Sequence, residues 1–410
     1  MNRSALLRML PALVALAPSA CASGPPGPDD QTPTIIVTGV ADGETVTGAV
    51  TITVSVDVGT YQATLNGASF VSGRSVSDPG DYLLEVSAQN GQETASLDVR
   101  FTIALSGSTR LIIRLFDLGA NEAGGGGDAI LLTDSSAAGL RHALIDAGPA
   151  GVAGSDPGFV ARRLAALGVD TLEAMVLTHA HEDHFDGMTN VISQVVVRRF
   201  VYNGQVRNFS PYTSLVTFAG NQADTVIVPD AETPVTVGFG ATAATLTILP
   251  PLATWLAKPD ATSSELNDGS LGTEVVKGSF HMFLTGDGEV EANLRWRTMF
   301  PARASQLDVL KVGHHGANDA VFDNGFNGPS TWLDHTEPEV ALVSANGTTH
   351  PRQNATSTLV GRPETRAFCT NVHGDIEIRV NEAGDYMVTV ERNEGQSCTA
   401  GTHATTGPPR

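Results

Sequence analysis

Basic residues are in short supply: 24 Lys and Arg stand against 44 Asp and Glu, giving a formal charge of −20. Binding to nucleic acid draws much of its affinity from cationic side chains that release counterions, so this balance disfavours tight, non-specific contact with DNA. Long apolar runs are missing too. The stretch from Met9 to Ala17 is too short to cross a bilayer, which argues against a membrane channel. No internal repeat is apparent. Cysteine occurs only at positions 21, 369 and 398, and aromatic residues make up just 6% of the chain. What remains, 41% hydrophobic and 17% charged, is the composition of a folded protein. Its 410 residues suit two to three domains and a sizeable core.

The first 22 residues read as an export signal: Arg3 and Arg8, then the short apolar run, then small residues. Cleavage is expected after Ala22, or before Cys21 if that cysteine takes a lipid, the one route to a membrane that the sequence offers. Residues 1–22 hold no Asp or Glu, so losing Arg3 and Arg8 would take the charge from −20 to −22. Export places the protein in the periplasm, at the cell surface or outside the cell. Oxidising conditions there favour a disulfide between Cys369 and Cys398.

Residues 23–33, rich in Pro and Gly, are expected to link this segment to the rest. Over 34–105, short β-branched runs (Ile35 to Val37, Val50 to Val56, Tyr61 to Leu65, Asp81 to Val86, Ala95 to Ile103) alternate with turn signals. This spacing predicts an all-β sandwich. From 109 to 398 strands alternate with helices, the pattern of an α/β domain whose sheets are covered by helices. Strands are expected at Ile112 to Phe116, Ala129 to Leu132, Ala143 to Ile145, Glu173 to Leu177, Val195 to Tyr202 and Val309 to Val312. Helices are expected after an Asp156 cap and over Glu289 to Met299. Asp375 to Val380 and Asp385 to Val390 read as a hairpin, and residues 399–410 as a loose tail.

Histidine is also rare, with 11 in the chain, yet three stand within Thr178-His179-Ala180-His181-Glu182-Asp183-His184. This loop follows a buried strand, where a rigid backbone can present side chains to a cleft. Imidazole and carboxylate are the donors for zinc, and suit manganese or iron. An i, i+2 His pair followed by Asp-His can face two neighbouring ions.

The loop matches the H-x-H-x-D-H signature of the metallo-β-lactamase superfamily. Over residues 109–395, Phe116-Asp117-Leu118-Gly119, Gly127 to Leu132, Ile145-Asp146-Ala147-Gly148, Leu284-Thr285-Gly286-Asp287 and Leu310-Lys311-Val312-Gly313-His314-His315-Gly316 together resemble the hydrolase domain of ComEC-type DNA-uptake proteins. Residues 34–105 resemble bacterial immunoglobulin-like modules through Asp78-Pro79-Gly80-Asp81-Tyr82. The resemblance implies an αββα sandwich and two divalent cations, zinc foremost. His179 and His181 would hold one cation, Asp183 and His184 the second, with Asp287 between them. His314 is the favoured further ligand, with His315 in support or as catalytic acid, and Asp183 as the other catalytic group. The two histidines are open to exchange.

Superfamily members often carry another His before the bridging Asp. Here His281 is the only candidate, and its strand setting assigns it to the fold. Asn267, Asp268 and His350 are further candidates for ligands or substrate contacts, and Asp146 for orienting a ligand. The expected reaction is hydrolysis by metal-activated water of a phosphodiester, in nucleic acid or a phosphorylated surface polymer. A lactone, β-lactam or other ester or amide is the alternative substrate. A different class is also open, a surface adhesion or polymer-binding protein with a degenerate hydrolase domain.

Overall fold

The computed structural model describes residues 31–403, apart from 78, 106, 120–125, 137–138, 150–157, 231, 239–243 and 252. The expected export signal, most of the linker and the Asp156 cap lie outside the described residues. Among the described residues, no helix is long and apolar enough to cross a membrane.

Residues 31–104 form two β-sheets, one of three strands and one of five. The long pair Gly80–Asn90 and Glu93–Ala104 is antiparallel. Its inward residues alternate with exposed ones, as a two-residue period requires. Leu84, Val86, Val99, Phe101 and Ile103 pack with Ile52 and Val54 into one apolar core.

The larger unit is built on two sheets. One has eight strands, in the order Thr225–Ile227, Arg199–Tyr202, Ala174–Leu177, Gly139–Ile145, Ile130–Ser136, Thr109–Leu115, Ile376–Asn381 and Tyr386–Val390. The other has seven: Val235–Gly238, Thr245–Leu249, Gly272–Lys277, Phe280–Leu284, Val309–Lys311, Val340–Val343 and Arg366–Cys369. Each sheet is antiparallel in one half. In the other half, parallel strands are joined through crossovers.

Side-chain alternation decides the layering. Ile113, Ile130, Val176 and Val201 of the first sheet meet Ile248, Val275, Met282 and Leu342 of the second in a shared core. Their neighbours Leu131, Leu144, Met175 and Phe200 face the other way, against the helices Phe159–Ala166, Met188–Ile192 and Ser210–Gln222. Phe283, Leu310 and Val343 likewise face Val290–Met299, Thr331–Thr336 and Gln353–Gly361. Four layers result: helix, sheet, sheet, helix.

Two details differ from the sequence reading. Val195 to Tyr202 is two strands rather than one. Val196–Val197 pairs with Thr171–Leu172, and only Arg199–Tyr202 joins the large sheet. The segment after Cys398 is not loose where it is described. Gly401, Thr402 and His403 donate backbone hydrogen bonds to Pro351, Gly347 and Thr348 at 2.7–3.0 Å, because the Cys369–Cys398 disulfide delivers the chain beside that loop.

The disulfide closes a loop with a sequence separation of 29. It encloses the hairpin of Ile376–Asn381 and Tyr386–Val390. Closing such a loop removes unfolded-state entropy worth about 3–4 kcal/mol. Cys369→Ser is therefore expected to lower the unfolding free energy by a few kcal/mol, roughly the loop-closure amount. Denaturant melts of the oxidised protein and the variant measure it, and equal midpoints would overturn the expectation.

Candidate metal centre

The carboxyl ends of parallel strands from both sheets open on the same edge, the usual place for a site in such sheets. Leu177 leads into the His-rich loop, Ile145 into Asp146, Leu284 into Asp287, Lys311 into His314 and His315, and Val343 into Ser344. Asp183, His184, Asp287 and His315 each offer a ligand atom, and the four atoms lie within 4.8 Å of one another. His184 Nε2 is 3.1 Å and His315 Nε2 3.2 Å from Asp287 Oδ2. His315 Nε2 is also 3.2 Å from Asp183 Oδ2. His179 Nε2 stands 3.9 Å from the same Asp287 oxygen and 3.0 Å from His181 Nδ1.

The tautomers follow from the partners. His315 Nδ1 lies 3.0 Å from the Ser344 carbonyl, which can only accept, so Nδ1 donates there and Nε2 is the nitrogen turned to the cleft. His184 Nδ1 is 2.7 Å from Asp146 Oδ2 and is read the same way. Thr178 Oγ1 donates to Asp146 at 2.7 Å, which leaves it to accept from His179 Nδ1 at 3.1 Å. Three imidazoles thus aim Nε2 at one region.

These residues fit divalent cations. His184 Nε2 and Asp287 Oδ1 are buried and have no hydrogen-bond partner among the described residues. Leaving such atoms unpaired is costly, whereas an ion would use both lone pairs. The electrostatics agree. Burial alone would lower the His184 pKa, yet Asp287, Asp146 and Asp183 hold it well above the usual imidazole value. Burial alone would raise Asp287, yet His184 and His315 hold it well below the usual carboxylate range.

The expected order of the adjacent histidines is exchanged. His315, at φ 53, turns inward and is buried. His314 instead places Nδ1 3.0 Å from Asp319 and 3.2 Å from Glu289, a separate cluster. Left-handed backbone at both positions sends consecutive side chains to different carboxylates. Asn267 donates to Glu289 at 2.6 Å and lies 3.5 Å from His314. Asp268 accepts the backbone N–H groups of Glu289 and Ala292 at the start of the helix Val290–Met299. Neither belongs to the metal group, because both are engaged by the segment that begins at Glu289. The His350 ring lies 5.5 Å from the His314 ring, tilted to it, and 6.1 Å from the His315 ring, edge-on, beside the cleft. His281 lies 3.3 Å from Glu274, a partner within its own sheet.

Sequence reasoning assigned no role to Asp128, Lys311 or Ser344. Lys311 is fully buried; it pairs with Asp128, donates to the Gly286 carbonyl at 2.9 Å and lies 3.9 Å from Asp287 Oδ1. Ser344 Oγ also donates to Asp128. A lysine inside Val309-Leu310-Lys311-Val312 was the available signal, since a charge in an otherwise apolar strand needs a buried partner.

No protein-family model matches the chain. ComE operon protein 3 of Bacillus subtilis (strain 168) is 29% identical over 238 residues, 55% of this chain and 27% of that protein. The chain thus matches about a quarter of that relative's length. Among solved structures, similarity extends to a mutant CmlA beta-hydroxylase (TM-score 0.39, 14% identity, 67% of this chain and 55% of that one). A diphosphatase from the PhnP family gives a TM-score of 0.38 at 10% identity, over 66% of this chain and 98% of that one. Human tRNase Z, short form, gives 0.34 at 11%, over 57% and 92%.

Asp146→Asn keeps the shape but weakens the grip on His184 and, through Thr178, on His179. Losing such an orienting carboxylate typically costs about 10–100-fold in metal affinity. Competition against a chelator on the folded variant measures this, and unchanged affinity would show that Asp146 does not set the ligands.

Proposed function

We propose that this chain is an exported hydrolase of the metallo-β-lactamase fold that holds two divalent cations and cleaves phosphodiesters. One observation carries the proposal: the quartet Asp183, His184, Asp287 and His315, in which the buried His184 Nε2 and Asp287 Oδ1 have no hydrogen-bond partner among the described residues. His179 and His181 would hold one cation, and Asp183, His184 and His315 the other, with Asp287 between them. When bound, zinc, manganese or iron supplies a Lewis acid, water of lowered pKa and charge to balance an oxyanion. The match to ComE operon protein 3 supports the ComEC-like link, and the motif resemblance supports the hydrolase reading. Export rests on the first 22 residues, and the module at 34–105 serves in this reading as an immunoglobulin-like spacer.

The chain's own groups have separable tasks. Asp183 is the most exposed of the quartet, so its carboxylate can orient water and accept a proton at the cleft surface. Asp146 and Ser344 fix the rings of His184 and His315 before substrate arrives, which spares reorganisation during reaction. His314 and His350 form the wall nearest His315 and would meet the leaving group.

Asp183→Ala and His181→Ala should each abolish turnover and lower metal content. Chelator-stripped wild type should be inactive and recover with added zinc or manganese. Bis-p-nitrophenyl phosphate, a lactone and a β-lactam tested on one metal-loaded preparation assign the bond. Exclusive lactone or β-lactam turnover would overturn the phosphodiester reading, and full activity of both variants would overturn the metal mechanism.

A further inference from the structure

Arg207 sits in the segment between the strand Arg199–Tyr202 and the helix Ser210–Gln222, next to the metal loop. Two contacts fix its head. Nη1 donates to the carbonyl of Ala180, the residue between His179 and His181. The guanidinium carbon lies 4.4 Å above the Phe209 ring, a cation–π contact. Phe209 in turn packs edge-on to Phe185 of the same loop region, 6.3 Å between ring centres.

The segment itself is held firmly. Gln205 Nε2 donates to the carbonyls of Trp255 and Lys258, and Val206 N to that of Leu256. Arg207 is thus set in place rather than free to swing.

Its remaining donors are open. Nη1 also pairs with the Glu182 carboxylate at 3.4 Å. Nε and Nη2 have no hydrogen-bond partner among the described residues, and the side chain is 20% exposed. Beside them, Ser263 Oγ lies 3.3 Å from His181 Nε2.

A guanidinium held at Nη1, with Nε and Nη2 left without hydrogen bonds among the described residues, keeps a planar fork that matches the paired oxygens of a phosphate. A chain with 24 basic and 44 acidic residues has few cations to spare. The geometry points to Arg207, with Ser263 beside it, as the subsite that binds the anionic phosphoryl oxygens of the substrate on the His181 side of the metal centre. Arg207 would therefore be a specificity-determining residue that selects an anionic diester over a neutral ester. This assignment rests on the phosphodiester reading above.

The test compares full-length wild type, Arg207→Lys and Arg207→Gln, all metal-loaded. Each is assayed on bis-p-nitrophenyl phosphate and on a neutral p-nitrophenyl phosphotriester, and each is titrated with inorganic phosphate. Arg207→Gln should raise KM for the diester and weaken phosphate binding by about tenfold to a hundredfold, the scale of a lost charge-assisted hydrogen-bond pair. Its metal content and triester kinetics should stay at wild-type values, and Arg207→Lys should recover part of the loss. Equal losses on both esters, or a fall in metal content, would mean that Arg207 only braces the loop, and the subsite would be abandoned. Diester turnover unaffected by Arg207→Gln would sink the subsite and leave the phosphodiester reading standing. Phosphate binding that depends on Arg207 without any diester turnover would do the reverse. Absence of phosphate binding in wild type would overturn the subsite.

Discussion

The candidate metal centre depends on one fully buried carboxylate. Asp146 accepts from the Thr178 backbone at 2.8 Å, from the Thr178 hydroxyl at 2.7 Å and from His184 Nδ1 at 2.7 Å. Through the hydroxyl it also sets His179. A single side chain thereby fixes two imidazoles. Its own backbone is left-handed, at φ 55, a conformation that costs free energy for any residue but glycine and a few polar types. The strain is offset by three hydrogen bonds, all of them from the loop that Asp146 organises.

A second buried aspartate does the matching work across the cleft. Asp128 enters its strand from the eight-stranded sheet, whereas Lys311 and Ser344, which it engages, belong to the seven-stranded one. The Leu271 N–H, donating to the Thr178 carbonyl at 3.0 Å, adds another tie between the sheets. A site assembled from two sheets holds its geometry only if the sheets keep their relative position. The shared apolar core supplies the bulk of that rigidity, and these polar ties register it at the edge where the ligands stand.

The layered architecture was readable because alternation and strand–helix rhythm are local properties. The histidine loop was readable because its ligands are six residues long in sequence. What stayed hidden depended on backbone direction and on distant partners. His314 and His315 differ by one position, and only their left-handed backbone decides which faces Asp287. Asp268 carried a plausible ligand's chemistry, but the backbone N–H groups of Glu289 and Ala292 claimed it. The long strand expected from Val195 to Tyr202 broke because Val196–Val197 found a different neighbour, Thr171–Leu172. Arg207 gave no signal at all: its place beside Ala180 arises from the fold.

The segment beyond Cys398 bonds to the loop at 347–351, and that loop carries His350. One wall of the cleft therefore takes its final shape from residues more than two hundred positions downstream of the histidine-rich loop. During synthesis the early ligands emerge long before this wall exists, so a nascent chain holds an incomplete catalytic centre until its last strands have docked.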